Sequence, residues 1–348
     1  ACNQCHSERD ANWAVAALRD WGVKFDDTAS HPARAFQRLQ QGDARALPTL
    51  AQLATDTSAP PVRRAAAIEA LGQVGGRDAL QSATTTIYDD DPLLRISTVR
   101  ALAFLPPDQR YRLLTPLLED ENTSVRIALA ESLAQVPLEQ IPAAEAEKLR
   151  ALFTEYEAIL LEHADMPGML MELGLFRAAR GDPSGAEQAY RRSIERNPQM
   201  VAAYLNLADL LRSQARDDEA RKLLAQVLDM FPENGPALHA LGLLETRSGN
   251  AELALQYLGK AAALEQDSTR HRFVYAIALH DLGQPQKAIQ QLQSLLRVAP
   301  TDQDVLLALA NYSAELGQRE QARGYARQLV SLAPRNRAYQ ELYQQLSP

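Results

Sequence analysis

Long apolar runs are missing from this 348-residue chain. No stretch approaches the roughly 18 consecutive apolar residues of a membrane-spanning helix, so no transmembrane helix is expected. The first residues lack the basic and apolar regions of a signal peptide, and the chain is expected to be a mature form or a fragment. Cysteine is almost absent: Cys2 and Cys5 are the only two, three apart, which excludes a disulfide framework through the body. Glycine occurs 16 times and aromatics make up 6%, a scarcity that disfavours many-turned β architectures, while enrichment in Ala, Leu, Gln, Glu and Arg favours helices. Basic residues number 36 against 44 acidic ones, and the net charge of −8 speaks against nucleic acid or an anionic membrane as main partner. No G-x-x-x-x-G-K-[ST], G-x-S-x-G or H-E-x-x-H occurs, so no enzyme is expected. What remains, 46% apolar and 23% charged, is a globular composition with length for two or three domains.

Two internal periods are present. Ala186, Ala220, Ala254, Ala288 and Ala322 recur every 34 residues, and Pro198, Pro232, Pro300 and Pro334 keep the same frame, broken only by Gln266. Gly181, Gly249, Gly283 and Gly317 precede their alanines by five, with Ala215 as the exception. Glycine suits a tight turn, the small alanine lets two helices approach, and proline follows the end of the second helix. Leu173, Gly174, Gly181, Ala186, Tyr190 and Pro198 resemble the tetratricopeptide repeat in type and order. Five units are expected over 167–336, and the stripe Tyr339, Leu342, Tyr343 and Leu346 predicts a capping helix over 337–348.

Upstream, Arg64, Arg95 and Arg126 recur every 31 residues, each followed seven later by Leu71, Leu102 and Leu133. Asp89 and Asp120 lie six residues before Arg95 and Arg126. These spacings resemble HEAT repeats, which implies an Asp–Arg ladder between neighbouring units. The first unit departs, since Asp56 precedes Arg64 by eight, and its ladder contact is left open. HEAT-like units are expected over 31–140, their first helix capped by Ser30 with Pro32 in its first turn. Residues 141–166 form an unbroken helical pattern expected to splice the two arrays. The fold class is therefore all-α: an α-solenoid of HEAT-like repeats followed by tetratricopeptide repeats, behind a short segment at 1–30.

That segment holds the chain's one chemical motif. Cys2, Cys5 and His6 form C-x-x-C-H, the spacing at which two thiols make thioethers with one haem and the adjacent imidazole ligates its iron. A disulfide between the cysteines is the plain alternative. A thioredoxin-like pair lacks its βαβ setting, and zinc lacks a fourth ligand at usual spacing. Both tryptophans, Trp13 and Trp21, fall nearby, either walling a porphyrin or packing on the first HEAT helix. His31 is a candidate distal iron ligand or, equally, a surface histidine beside Pro32. Methionines 166, 169 and 171 read as core filler.

Taken together, a C-x-x-C-H, a Trp-bearing helix, a later His, HEAT-like units and tetratricopeptide repeats resemble the C-terminal part of bacterial multihaem c-type cytochromes. The resemblance implies one covalent haem c on Cys2, Cys5 and His6, a periplasmic or extracellular location and electron transfer. It also implies a redox protein or haem-bearing upstream region as partner. The alternatives are a non-redox interaction scaffold whose haem motif is unoccupied, and the tail of a multihaem reductase. Either way a protein or peptide is expected in the concave tetratricopeptide groove. Met171 and Leu175 stand where family members that clamp a terminal carboxylate carry Lys and Asn, so that mode is not expected. Arg212, Arg247, Arg270 and Phe273 favour a segment with apolar anchors and acidic character. The alternative for these four is a solvated or self-packed groove.

Overall fold

The computed structural model describes residues 9, 11–23, 32–40, 42–264 and 268–347. Among them are 20 α-helices joined by short turns and 3-10 segments, with no β-strand. The chain divides into two compact units, 1–159 and 160–348.

The first unit contains α1 (Ala11–Asp20), α2 (Pro32–Gln40), α3 (Leu47–Thr55), α4 (Pro61–Val74) and α5 (Gly76–Thr86). It continues through α6 (Pro92–Ala101), α7 (Pro107–Leu114) and α8 (Thr123–Leu133) into α9 (Ala143–Glu162). Proline opens several of these helices, where its missing N–H costs no intrahelical bond. Side chains satisfy other orphan donors: Asp91 accepts from the Leu93 N–H at 2.9 Å and Asn122 from the Ser124 N–H at 3.0 Å. The leucines of the 31-residue period, Leu71, Leu102 and Leu133, are all buried. At Gly72 a Cβ would stand 2.4 Å from Ala101 Cα, so α4 and α6 touch backbone to backbone.

The expected ladder is present, and it runs forward. Arg64 Nη2 meets Asp89 at 2.6 Å, Arg95 grips Asp120 through two bonds of 2.7 and 2.9 Å, and Arg126 reaches Glu155 of α9 at 2.6 Å. Arg95 and Arg126 also donate to carbonyls of their own turns, at Asp89 and Asp120 respectively, both at 2.8 Å. The first unit resolves as follows. Asp56 accepts from the Ser58 N–H and hydroxyl at 2.9 and 2.6 Å, and Arg64 Nε donates instead to the Ala54 carbonyl at 3.1 Å. The longer turn thus removes Asp56 from the ladder without removing Arg64.

The second unit is five helix pairs and a final helix. The pairs are α10 (Pro167–Ala179) with α11 (Pro183–Arg196), α12 (Val201–Ser213) with α13 (Asp217–Met230), and α14 (Gly235–Arg247) with α15 (Ala251–Leu264). Then come α16 (Thr269–Asp281) with α17 (Pro285–Val298), α18 (Gln303–Glu315) with α19 (Arg319–Leu332), and α20 (Arg337–Gln345). All five periodic alanines are fully buried. The turn glycines adopt left-handed φ of 73–79°, and Ala215, the exception in sequence, keeps the same conformation at φ 59°. In α20, Tyr339, Leu342, Tyr343 and Leu346 are half-buried while Gln340, Glu341, Gln344 and Gln345 are exposed, as the stripe predicts. Gln266 lies outside the described residues.

Candidate protein-binding groove

The first helix of each pair in the second unit, α10, α12, α14, α16 and α18, carries the groove-facing positions of the 34-residue frame. Between α12, α14 and α16 is a cavity of about 230 Å³. Its apolar lining includes Leu205, Ala208, Ala240, Leu243 and Leu244, and its polar lining is Asp209, Arg212, His239 and Arg270. Arg212 is held by Asp209 one turn earlier at 2.5 Å. Arg247 donates to the Arg212 carbonyl at 3.1 Å and stands 3.4 Å from Asp217. The structure therefore places Arg212 and Arg270 on the lining of one cavity, with Arg247 against Arg212 beside it but not lining it. Phe273, the fourth predicted partner-binding residue, packs half-buried against the core of the fourth and fifth pairs and does not line it.

His239 is 8% exposed, and neither ring nitrogen has a hydrogen-bond partner. Its ring stacks on His271 with centroids 4.3 Å apart. Burial, with electrostatic contributions from the neighbouring His271 and Arg270 adding to it, pushes the His239 pKa down to about 4, so the imidazole is neutral at pH 7. Farther along the groove the environment is opposite. His280 lies flat on Tyr312 at 3.6 Å, its Nε2 is 2.6 Å from Glu315 and its Nδ1 3.2 Å from Asp281. Burial there works against the cation, but hydrogen bonds to Glu315 and Asp281 outweigh it and raise the pKa. One groove thus carries a neutral histidine beside arginines and a cation-favouring histidine beside carboxylates.

Charged side chains also tie successive pairs together outside the groove. Arg216, just before α13, bridges Glu187 of α11, at 2.5 Å, and Glu219 of α13, at 2.7 Å. Arg221 reaches the buried Glu245 at 2.7 Å, and Asn250 completes that carboxylate at 2.6 Å. These contacts are structural staples, and Glu245 needs no catalytic explanation.

Of the residues expected at a haem, Cys2, Cys5, His6 and His31 lie outside the described residues. Trp13 is half-buried on α1, with the Arg9 guanidinium 5.8 Å from its ring centroid, while Trp21 is 78% exposed. Among the described residues no group of three or more His, Cys, Asp or Glu is placed to hold a metal ion. His239 was legible only as a groove position. Its burial and missing partners, and the contribution of Leu243 and Ala240, depend on how three helices converge.

Residues 177–242 and 279–346 match the tetratricopeptide repeat family, as do 239–304 through a second description of that family, and residues 12–103 match HEAT repeats. The HEAT match begins within the segment expected to bind haem. A TPR repeat-containing protein of Methanocaldococcus jannaschii is 27% identical over 192 residues, which are 49% of this chain and 33% of that protein. The photosystem I assembly protein Ycf3 of Rippkaea orientalis is 33% identical over 99 residues, 26% of this chain and 57% of that protein. The chain thus spans between a third and three fifths of the length of these two relatives. A solved structure of YrrB, titled as a TPR protein with an unusual peptide-binding site, is 19% identical. It aligns with 54% of this chain and 96% of its own, at a TM-score of 0.43. On both the helix periods and the matches, the chain carries HEAT repeats in its first unit and tetratricopeptide repeats in its second.

Proposed function

We propose that this protein is an interaction scaffold whose tetratricopeptide groove captures an extended or helical segment of a partner protein. The observation that carries the reading is the cavity between α12, α14 and α16, lined by Arg212 and Arg270, with Arg247 donating to the Arg212 carbonyl beside it. Apolar walls supply desolvation, and the guanidinium groups favour a segment with acidic character. The test is a displayed library of random peptides selected on the whole chain. Binding of the selected peptides should fall about tenfold or more in an Arg212→Glu, Arg247→Glu variant of unchanged helicity, as expected for charge-assisted hydrogen bonds of about 1.5–3 kcal/mol. Undiminished binding would place the interface on another surface.

A second reading rests on the C-x-x-C-H motif at Cys2, Cys5 and His6. In it Cys2 and Cys5 would hold one haem through thioethers, His6 would ligate its iron, and His31 would be a further candidate ligand. Bound haem would supply one-electron transfer in the periplasm or outside the cell, and the scaffold would hold a redox protein near it. Export of the chain together with cytochrome maturation machinery should add the mass of one haem, retained after acid–acetone extraction. An exported chain of unmodified mass would remove this reading and leave the scaffold intact.

A further inference from the structure

We propose that the cavity between α12, α14 and α16 is a specificity pocket for a tyrosine side chain of the partner segment, with an acidic residue beside that tyrosine meeting Arg270. The inference rests on the groove reading and names what the groove selects.

Size limits the occupant. About 230 Å³ lies below the roughly 300–1,000 Å³ of small-molecule sites and suits one large side chain of a longer ligand. Leu205, Ala240, Leu243 and Leu244 present apolar surface to it, and Leu243 is 38% exposed, surface that an inserted ring would cover.

The polar character of the pocket then selects among large side chains. His239 borders the cavity, is more than nine-tenths buried, and has no hydrogen-bond partner at either ring nitrogen. A buried polar group without a partner is costly, and a ligand that supplies one recovers that cost on binding. Neutral imidazole offers one donor and one acceptor nitrogen, and a phenol hydroxyl matches either. Phenylalanine fills nearly the same volume and leaves His239 unpaired, so between these two the pocket discriminates by a single oxygen atom.

Charge sets what lies next to the tyrosine. Asp209 already neutralises Arg212, and Asp217 faces Arg247, whereas Arg270 is exposed and has no counter-ion among the described residues. A carboxylate flanking the tyrosine is the group this rim lacks.

The experiment uses peptides selected on the whole chain from a displayed random library, resynthesised and measured by calorimetry. Selected peptides should share a tyrosine with an adjacent Asp or Glu. Tyrosine to phenylalanine in the peptide should weaken binding about tenfold or more. Ala240→Phe, which fills the cavity from its half-buried wall, should abolish binding at unchanged helicity, and Arg270→Glu should remove the preference for the acidic neighbour. The phenylalanine comparison is made on the unaltered protein and does not depend on any variant folding. Peptides without tyrosine would overturn the pocket assignment, as would full tolerance of phenylalanine. If such peptides still lose binding in the Arg212→Glu, Arg247→Glu variant, the groove reading survives. Peptides indifferent to every groove substitution would overturn both.

Discussion

Gly174 offers the sharpest test of how the tetratricopeptide unit is packed. An alanine Cβ at this position would stand 2.3, 2.5 and 2.8 Å from Cε1, Cδ1 and Cζ of Tyr190, against the roughly 3.5–4.0 Å of an ordinary carbon contact. Three atoms of a rigid ring are involved, and Tyr190 is 2% exposed, so the ring has no room to retreat. Gly174→Ala gains about 1 kcal/mol of helix propensity and incurs overpacking of about 1–3 kcal/mol, with the shortness of three simultaneous contacts placing it at or above the upper end. A net destabilisation of about 2 kcal/mol or more is expected. The same substitution at Gly324, inside α19 with nothing within 4 Å of the added Cβ, should stabilise by about 0.5–1 kcal/mol. Elsewhere in the array the equivalent pairs are Ala208 with Leu224, Gly242 with Leu258, Ala276 with Leu292 and Ala310 with Ala326, so two of the four set an alanine against a leucine. Tyr190→Leu should therefore rescue Gly174→Ala, with a favourable coupling of about 1 kcal/mol. Repeat arrays unfold piecewise, so the assay is hydrogen exchange followed by mass spectrometry, read on peptides from α10 and α11. Unchanged or increased protection there in Gly174→Ala would refute the reasoning, as would an equal loss in α19 for Gly324→Ala.

Three further outcomes follow from the geometry. Arg95→Ala leaves the largely buried Asp120 carboxylate unpaired and should cost about 3 kcal/mol by denaturant titration, whereas Lys148→Ala, on the exposed pair with Glu119, should stay within about 0.5 kcal/mol. Burial pushes the Asp120 carboxyl up, but Arg95 and the Asn122 N–H outweigh it and hold it below the ordinary carboxylate range. The ladder's contribution is then present at neutral pH and lost on acidification below about pH 4. The His239 pKa falls on folding from 6.5 to about 4, so its neutral form contributes fully above pH 6.5 and the contribution is lost as pH drops toward 4, by up to about 3 kcal/mol. His239→Gln should flatten the dependence of second-unit exchange protection over that window, and an unaltered slope would contradict the buried neutral imidazole. Ala215→Gly relieves a left-handed φ of 59° and should raise the stability of the second pair by about 0.5–1 kcal/mol, while Gly181→Ala, at φ 79°, should lower the first by a similar amount.

Repeat proteins are unusually legible because each unit contacts mainly its neighbours, and the residues that define a unit recur within 31 or 34 positions. The helix pairs, the buried alanines, the half-buried stripe of α20 and the Arg–Asp ladder all follow from periodic residue type. So does the choice of Arg212, Arg247 and Arg270 as groove residues, since a fixed frame places them on first helices. The C-x-x-C-H motif is likewise a property of the sequence, and its haem reading rests there.

Tertiary structure decided matters that depend on distances between units. Asp56 and Ser58 satisfy one another, so Arg64 pairs forward with Asp89 and the anomalous first spacing leaves the ladder whole. Ala215 adopts the left-handed conformation that glycine takes in the equivalent turns, at φ 59°. Phe273 turns toward the core although its frame position faces the groove. His239 is buried without a partner where α12, α14 and α16 meet, and that burial holds its imidazole neutral. Periodicity names which side chains face a groove; only the convergence of three helices determines the cavity they enclose and the polar group it leaves without a partner.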